Sequence, residues 1–328
     1  MIRYGVIGTG WITRSLIDGA AAYPELTLAA VYSRTAERGA AFAADYGCPR
    51  VFTDLEEMAA DDSLDMVYIA SPNACHVEQS RLFLEHGKHV LCEKPLSADP
   101  EQVAALQRLA AERGLLFREA IMLLYQPQLM LLQEAVAAIG QVSAAHFKFC
   151  QLSSKYEAYS CGEMPNIFNP ALHTGTLMDL GVYCVYPALL LFGRPQSVTA
   201  TASFLRTGAD GAGAALLQYP DKQVTLSYSK IGQGFAPSEI VGDRGTVTVD
   251  SISKLENIRL YRNGEESCLL YGGDDKETLM GREIAAFARA IQGDDPLADT
   301  ADGLALEVSR LMQTIRREAG IRFPNEEK

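Results

Sequence analysis

Over its first 120 residues the chain alternates short apolar runs with amphipathic stretches, and this alternation restricts the available folds more than any other feature. Runs at Tyr4–Ile7, Leu26–Tyr32, Asp65–Ala70, His89–Cys92 and Leu115–Arg118 have the length of strands, and helical spacing fills the intervals. Strands separated by helices in this way form parallel βαβ units with right-handed crossovers. One intervening helix carries its own boundary signals. Asp99 can cap it, Pro100 suits its first turn, Gln102 stands at capping-box spacing, and Gly114 stops it.

Beyond residue 140 the pattern becomes mainly β. Runs at Val142–Cys150, Ser197–Leu205, Ala214–Tyr219, Gln223–Ser229, Ser238–Val241, Thr246–Asp250 and Ile258–Tyr261 are divided by turn signals such as Pro220-Asp221. Helical stretches are expected near 174–192, 276–292 and 302–319. The expected fold is therefore α/β. A domain with a parallel sheet spans residues 1–120, and an α+β domain with a large, open, mainly antiparallel sheet spans 121–328.

Gly8-Thr9-Gly10-Trp11-Ile12-Thr13 follows the first strand run and opens the first helix. A dinucleotide fingerprint requires this setting, and it makes the first domain a Rossmann domain. Gly8 permits the tight turn, and Gly10 lets the backbone approach a pyrophosphate at the helix N-terminus. Thr13 takes the third position, so helix and strand should pack slightly less closely there. Gly8, Thr9, Gly10, Trp11 and Ile12 are thus candidate cofactor contacts. The second run ends in Ser33-Arg34, with no acid to take the ribose hydroxyls. A hydroxyl and a guanidinium suit a 2′-phosphate, so NADP is the expected cofactor and NAD the alternative.

Composition narrows the partners. The net charge of −12 argues against nucleic acid or an anionic membrane, which need a basic footprint. Seven cysteines without a CxxC pair read as reduced thiols. The chain enters a strand-like run at once, with no charged leader, so a cytoplasmic protein is expected. The longest apolar stretch, Tyr183–Phe192, contains Pro187 and is too short to span a bilayer.

Two further clusters bring a family into view. Ser71-Pro72-Asn73-Ala74-Cys75-His76 follows one strand run, and Glu93-Lys94-Pro95 closes the next. Glu119-Ala120 and Met178-Asp179-Leu180-Gly181-Val182-Tyr183 come later. With the fingerprint, these resemble the glucose–fructose oxidoreductase, inositol dehydrogenase and rhizopine-catabolism (Gfo/Idh/MocA) family along nearly the whole chain. The resemblance implies a nicotinamide-dependent oxidoreductase whose second domain binds substrate and pairs with another copy as a homodimer or larger homo-oligomer. It adds Ser71, Pro72, Asn73, His76, Glu93 and Lys94 to the cofactor contacts, and implies a cis peptide before Pro95.

Asp179 and Tyr183 are four apart, so on a helix they share a face. The resemblance implies Tyr183 as general acid/base, Lys94 as its electrostatic partner, and Asp179 as a substrate-hydroxyl or orienting group. A free tyrosine titrates near 10, so base work at neutral pH needs a nearby cation. Pro187 cannot donate to the Tyr183 carbonyl, and a kink is expected there. Many relatives carry Arg and His where this chain has Leu124 and Gln126, and the loss of that Arg argues against an anionic substrate. His173-Thr174 replaces a common Gly-Gly, leaving Gly175. Asn166, His173 and Tyr156, with Asn169 and Lys155, are the polar substrate candidates. No metal site is expected, because the histidines lack clustered partners.

The leading functional expectation is hydride transfer between NADP(H) and a secondary alcohol or ketone of a polyol, sugar or cyclic diol. A trans-dihydrodiol dehydrogenase-like activity and a non-catalytic nicotinamide redox sensor are the alternatives.

Overall fold

Six strands near the N-terminus form one parallel sheet in the computed structural model, which describes every residue except Asn263, Glu266, Asp299 and 325–328. The elements follow in order: β1 (Ile2–Ile7), α1 (Trp11–Ala20), β2 (Leu26–Tyr32), α2 (Ala36–Asp45), β3 (Val51–Phe52), α3 (Leu55–Ala59), β4 (Met66–Ile69), α4 (His76–Glu85), β5 (His89–Glu93), α5 (Pro100–Glu112) and β6 (Phe117–Ala120). Strand order is β3-β2-β1-β4-β5-β6, so the direction of winding reverses between β1 and β4. Ligands of such sheets bind outside the carboxyl ends of the strands at that reversal. Both faces are covered, and the core is apolar: Ile7, Val67, Ile69, Phe83, Val90 and Phe117 are all buried.

The signals at α5 are used with one exchange. Asp99 accepts from the Glu101 N–H at 3.0 Å and Gly114 lies past the end with φ +66°. Gln102 does not complete the capping box, because its Oε1 takes the Ser97 hydroxyl at 2.6 Å.

The second sheet has eight strands. Its elements are α6 (Gln128–Ala138), β7 (Val142–Cys150), α7 (Tyr156–Ser160), α8 (Val182–Phe192), β8 (Ser197–Phe204), β9 (Asp210–Gln218), β10 (Gln223–Ser229), β11 (Ser238–Gly242), β12 (Gly245–Val249), β13 (Ile258–Arg262) and β14 (Cys268–Tyr271). The order is β14-β13-β12-β11-β7-β10-β9-β8. β7 and β10 are parallel, and every other neighbouring pair is antiparallel. Alternate residues of β10 (Val224, Leu226, Tyr228) are buried, and α8 packs against β7 and β10.

The segment before α8 departs from the expected single helix. A π-helical turn at Leu177–Gly181 precedes α8, and Pro187 lies inside α8. The length argument against a membrane span also needs correction. The apolar stretch Pro170–Phe192 has the length and composition to cross a membrane, but residues 173–175 interrupt its helix and most of it is buried in the fold.

The chain closes with α9 (Lys276–Ile291) and α10 (Ala301–Glu318). These helices bear on how the chain divides into compact units. One compact unit comprises Met1–Gln126 and Asp275–Leu306, and the other Pro127–Asp274 and Glu307–Lys328, with 325–328 outside the described residues. α9 joins the first unit because it lies directly on α1. A Cβ on Gly19 would come within 2.1 Å of the Glu277 carbonyl oxygen, and one on Gly281 within 2.5 Å of the Gly19 carbonyl oxygen. The buried Arg118 of β6 secures the same segment through Asp295 at 2.7 Å and Asp302 at 2.8 Å.

Candidate functional site

In the first unit, the residues expected to hold a dinucleotide gather along one edge of the parallel sheet. Gly8 leaves β1 at φ +109°, and a Cβ there would stand 2.6 Å from the Ala70 carbonyl oxygen at the end of β4. Only glycine satisfies both conditions. Gly10 has ordinary backbone angles, and a Cβ there would meet no protein atom within 4 Å. The space it leaves clear lies over the first turn of α1. That turn has no side-chain cap and no acidic residue, so its N–H groups and dipole suit a pyrophosphate. Thr13 is wholly buried, and its hydroxyl has no hydrogen-bond partner among the described residues. Trp11 is exposed, with the Lys276 ammonium 3.8 Å from its ring centre, while Ile12 is half-buried.

The neighbouring strand ends complete this edge. After β2, Ser33 is buried and its hydroxyl lies 3.5 Å from the Thr35 N–H, whereas Arg34 is exposed. A 2′-phosphate contact would thus fall mainly to Arg34. Arg34 also acts electrostatically on the loop after β4. Burial and Glu78 push the Cys75 thiol up, and the Arg34 charge draws it back. In that loop the Ser71 hydroxyl donates to Gln79 at 2.7 Å, and Pro72 leads into a tight turn at Asn73–Cys75.

His76 is held inside the protein. It is 1 % exposed, and its two ring nitrogens lie 2.9 Å from the carbonyl oxygens of Pro95 and Ser71. The ring ties the two loops together from within. Burial pushes its pKa down, with Lys94 contributing in the same direction. Lys94 follows β5 directly, and the Lys94–Pro95 peptide is cis. Glu93 accepts from the Tyr68 hydroxyl at 2.5 Å; burial pushes its carboxyl up while the Lys94 charge opposes this. Glu119 holds the same loop by accepting the Leu96 N–H at 3.0 Å.

Gln126, one of the two positions at which the sequence departs from the expected family pattern, is an internal clamp. It donates to the carbonyls of Met122 and Leu279 at 2.9 and 3.0 Å and accepts from Arg282 at 3.1 Å. Leu124 is buried.

In the second unit, Asp179 lies in the π-turn and Tyr183 in the first turn of α8. An offset of four slightly exceeds an α-turn and slightly undershoots a π-turn, so both side chains leave from one side. The Tyr183 ring meets the edge of Phe149 at 5.6 Å and is 8 % exposed. Asp179 is ion-paired with Lys230, a buried residue just past β10. Asp210, at the start of β9, accepts the Leu177 N–H at 2.7 Å and so anchors the start of this helix. Burial pushes its carboxyl up to about 6, with backbone hydrogen bonds and the Lys230 charge opposing. Gly175 is required here, since a Cβ would stand 1.9 Å from Asp210 Oδ1.

Sequence reasoning missed both Lys230 and Asp210. Neither belongs to a local motif; strand pairing brings Lys230 to Asp179 and Asp210 to the Leu177 N–H.

The other polar candidates divide. Asn169 caps the Ala171 N–H at 3.1 Å, and the carbonyls of Asn166 and Asn169 both accept the Thr174 hydroxyl at 2.8 Å. The Asn166 side chain is exposed, as is Lys155, and Tyr156 stacks on Tyr159 at 5.8 Å. His173, at φ +54°, stacks on Phe323 at 5.0 Å. Among the described residues no group of His, Cys, Asp or Glu has the arrangement of a metal site.

Both parts of the chain match one class of protein. Residues 2–120 match the oxidoreductase family with an NAD-binding Rossmann fold (GFO/IDH/MocA), and residues 131–248 match the GFO/IDH/MocA C-terminal domain. The chain belongs to this family and is a nicotinamide-dependent oxidoreductase.

It is 39 % identical over 99 % of its length, and 99 % of the relative's, to the scyllo-inositol 2-dehydrogenase (NADP(+)) IolU of Bacillus subtilis (strain 168). It is 30 % identical to the D-xylose 1-dehydrogenase (NADP(+)) 2 of Haloferax volcanii, over 93 % of this chain and 94 % of that one. Among solved structures, KijD10, a 3-ketoreductase from Actinomadura kijaniata in complex with NADP and TDP-benzene, superposes with a TM-score of 0.86. That match has 25 % identity and covers 97 % of each chain.

Proposed function

We propose that the chain is a cytoplasmic, NADP-dependent dehydrogenase that passes hydride between the cofactor and a secondary alcohol or ketone of a polyol, sugar or cyclic diol. The observation that carries this reading is Lys94 at the carboxyl edge of β5, beside the strand that walls the dinucleotide crevice. NADP is favoured because β2 ends without an acid and leaves Arg34 exposed. The names of IolU and of the Haloferax enzyme, which specify NADP(+), agree with this choice. A cyclic polyol is the first substrate to try, since the Bacillus relative is named for scyllo-inositol.

In this reading the nicotinamide supplies or accepts the hydride, and the chain manages the proton. The Tyr183 hydroxyl exchanges a proton with the substrate oxygen, the Lys94 ammonium favours its phenolate, and Asp179 grips or orients a neighbouring hydroxyl. Tyr156, Asn166 and His173 are the further substrate contacts to test.

The test is a panel of cyclic polyols, aldoses and trans-dihydrodiols with NADP⁺ and NAD⁺, followed at the reduced-nicotinamide absorbance. Turnover of a polyol, sugar or diol, faster with NADP⁺, is the expected result. Tight cofactor binding without turnover of any member would favour a redox sensor instead.

A further inference from the structure

The buried lysine beside Asp179 calls for a role, because a buried ammonium is costly unless it is compensated. Lys230 is fixed by the sheet on both sides: its N–H donates to the Gly211 carbonyl at 2.9 Å, and its own carbonyl accepts the Ser153 N–H at 2.9 Å. From this position the side chain pairs with Asp179, and its charge also acts on Asp210. Asp210 in turn holds the first N–H of the π-turn that carries Asp179. The helix and the lysine are therefore fixed to the same strands, and Asp179 is held between them.

Asp179 shares a helix side with Tyr183. An uncompensated carboxylate there would oppose a phenolate one turn away. We infer that Lys230 is a positioning residue that holds Asp179 in place and cancels its charge, so that Tyr183 can ionise beside it. The inference rests on the reading of Tyr183 as the proton-exchanging group.

Among the described residues, the other titratable groups around this centre include Asp210, Tyr228, Cys184, Cys150 and Lys148. Burial pushes the Tyr228 phenol of β10 and the Cys184 thiol of α8 far up, and raises the Cys150 thiol at the end of β7 against the pull of Lys148. Asp210 titrates well below the range in which a phenol ionises.

The experiment is a phenolate titration by ultraviolet absorbance on the intact protein, with the Tyr183 signal isolated by subtracting the matching Tyr183→Phe protein in each background. Lys230→Met should raise the Tyr183 midpoint by roughly one pH unit, and Asp179→Asn should lower it by a similar amount. Lys230→Arg should stay near wild type, and so should the Asp179→Asn, Lys230→Met double variant, in which both charges are gone.

The opposite signs of the two single variants keep the test decisive if Lys230→Met folds poorly. An unmoved midpoint in Asp179→Asn, or a double variant displaced as far as a single one, would overturn the inference. Because the readout is independent of turnover, a chain that oxidises none of the panel would refute the proposed reaction and leave this titration interpretable.

Discussion

Glu283 is the residue whose chemistry most conflicts with its surroundings. It is wholly buried in α9, and neither carboxylate oxygen has a hydrogen-bond partner among the described residues. Burial pushes its carboxyl well up; Glu93 and Glu119 add to this, and Lys276 opposes. The folded chain thus keeps a proton that the unfolded chain loses above about pH 4. Between the unfolded and folded pKa values the native state binds more protons, so stability falls as pH rises through that window. Glu283→Gln keeps the shape and removes the titration. It should match wild type near pH 4 and be more stable near pH 8, on the order of 1–3 kcal/mol by urea unfolding. Equal stability at both pH values would show that Glu283 is ionised in the fold. Arg34 is tested by affinity. Arg34→Ala should weaken NADP(H) binding by about 1–3 kcal/mol and leave NAD(H) nearly unchanged. An equal loss for both cofactors would assign Arg34 to the adenine or to the loop.

The contact between α1 and α9 is an element-scale device, because two glycines allow the backbones to touch. Gly281→Ala would force the helices apart and should cost about 1–3 kcal/mol, read as a lower Tm in calorimetry. An unchanged Tm would mean that the contact is loose. This pairing also shows where sequence reading stops. β2, β7 and β10 were legible to the residue, since apolar alternation and flanking turn residues mark their ends. Val51–Phe52 is too short to show a period, and Cys268–Tyr271 lies at a sheet edge with half-exposed side chains. Gln102 satisfies the capping-box spacing, yet Ser97 competes for it. For the candidate site, local motifs singled out Gly8, Gly10, Lys94, Asp179 and Tyr183. Lys230 reaches Asp179, and Asp210 the Leu177 N–H, through the pairing of β9 with β10, which no local pattern encodes.

For the whole molecule, the eight-stranded sheet bears on assembly. Thr199, Leu216, Thr225, His146 and Glu239 lie in register across five strands, and Thr199, Leu216 and His146 are exposed. An eight-stranded sheet with exposed residues in register on one face suits pairing with a second copy. Light scattering after size exclusion at micromolar protein should therefore give a dimer or larger, and a monomer of 35.7 kDa would count against it. The central claim is the proposed division of roles, in which Lys94 belongs to the nicotinamide-binding unit and Tyr183 exchanges the proton with the substrate. Its most direct test is single-turnover hydride transfer by the Tyr183→Phe protein on whichever substrate the panel identifies, with cofactor affinity measured in parallel. The account expects transfer slowed by about 10²–10⁴-fold with cofactor affinity unchanged. Transfer at nearly the wild-type rate would contradict it.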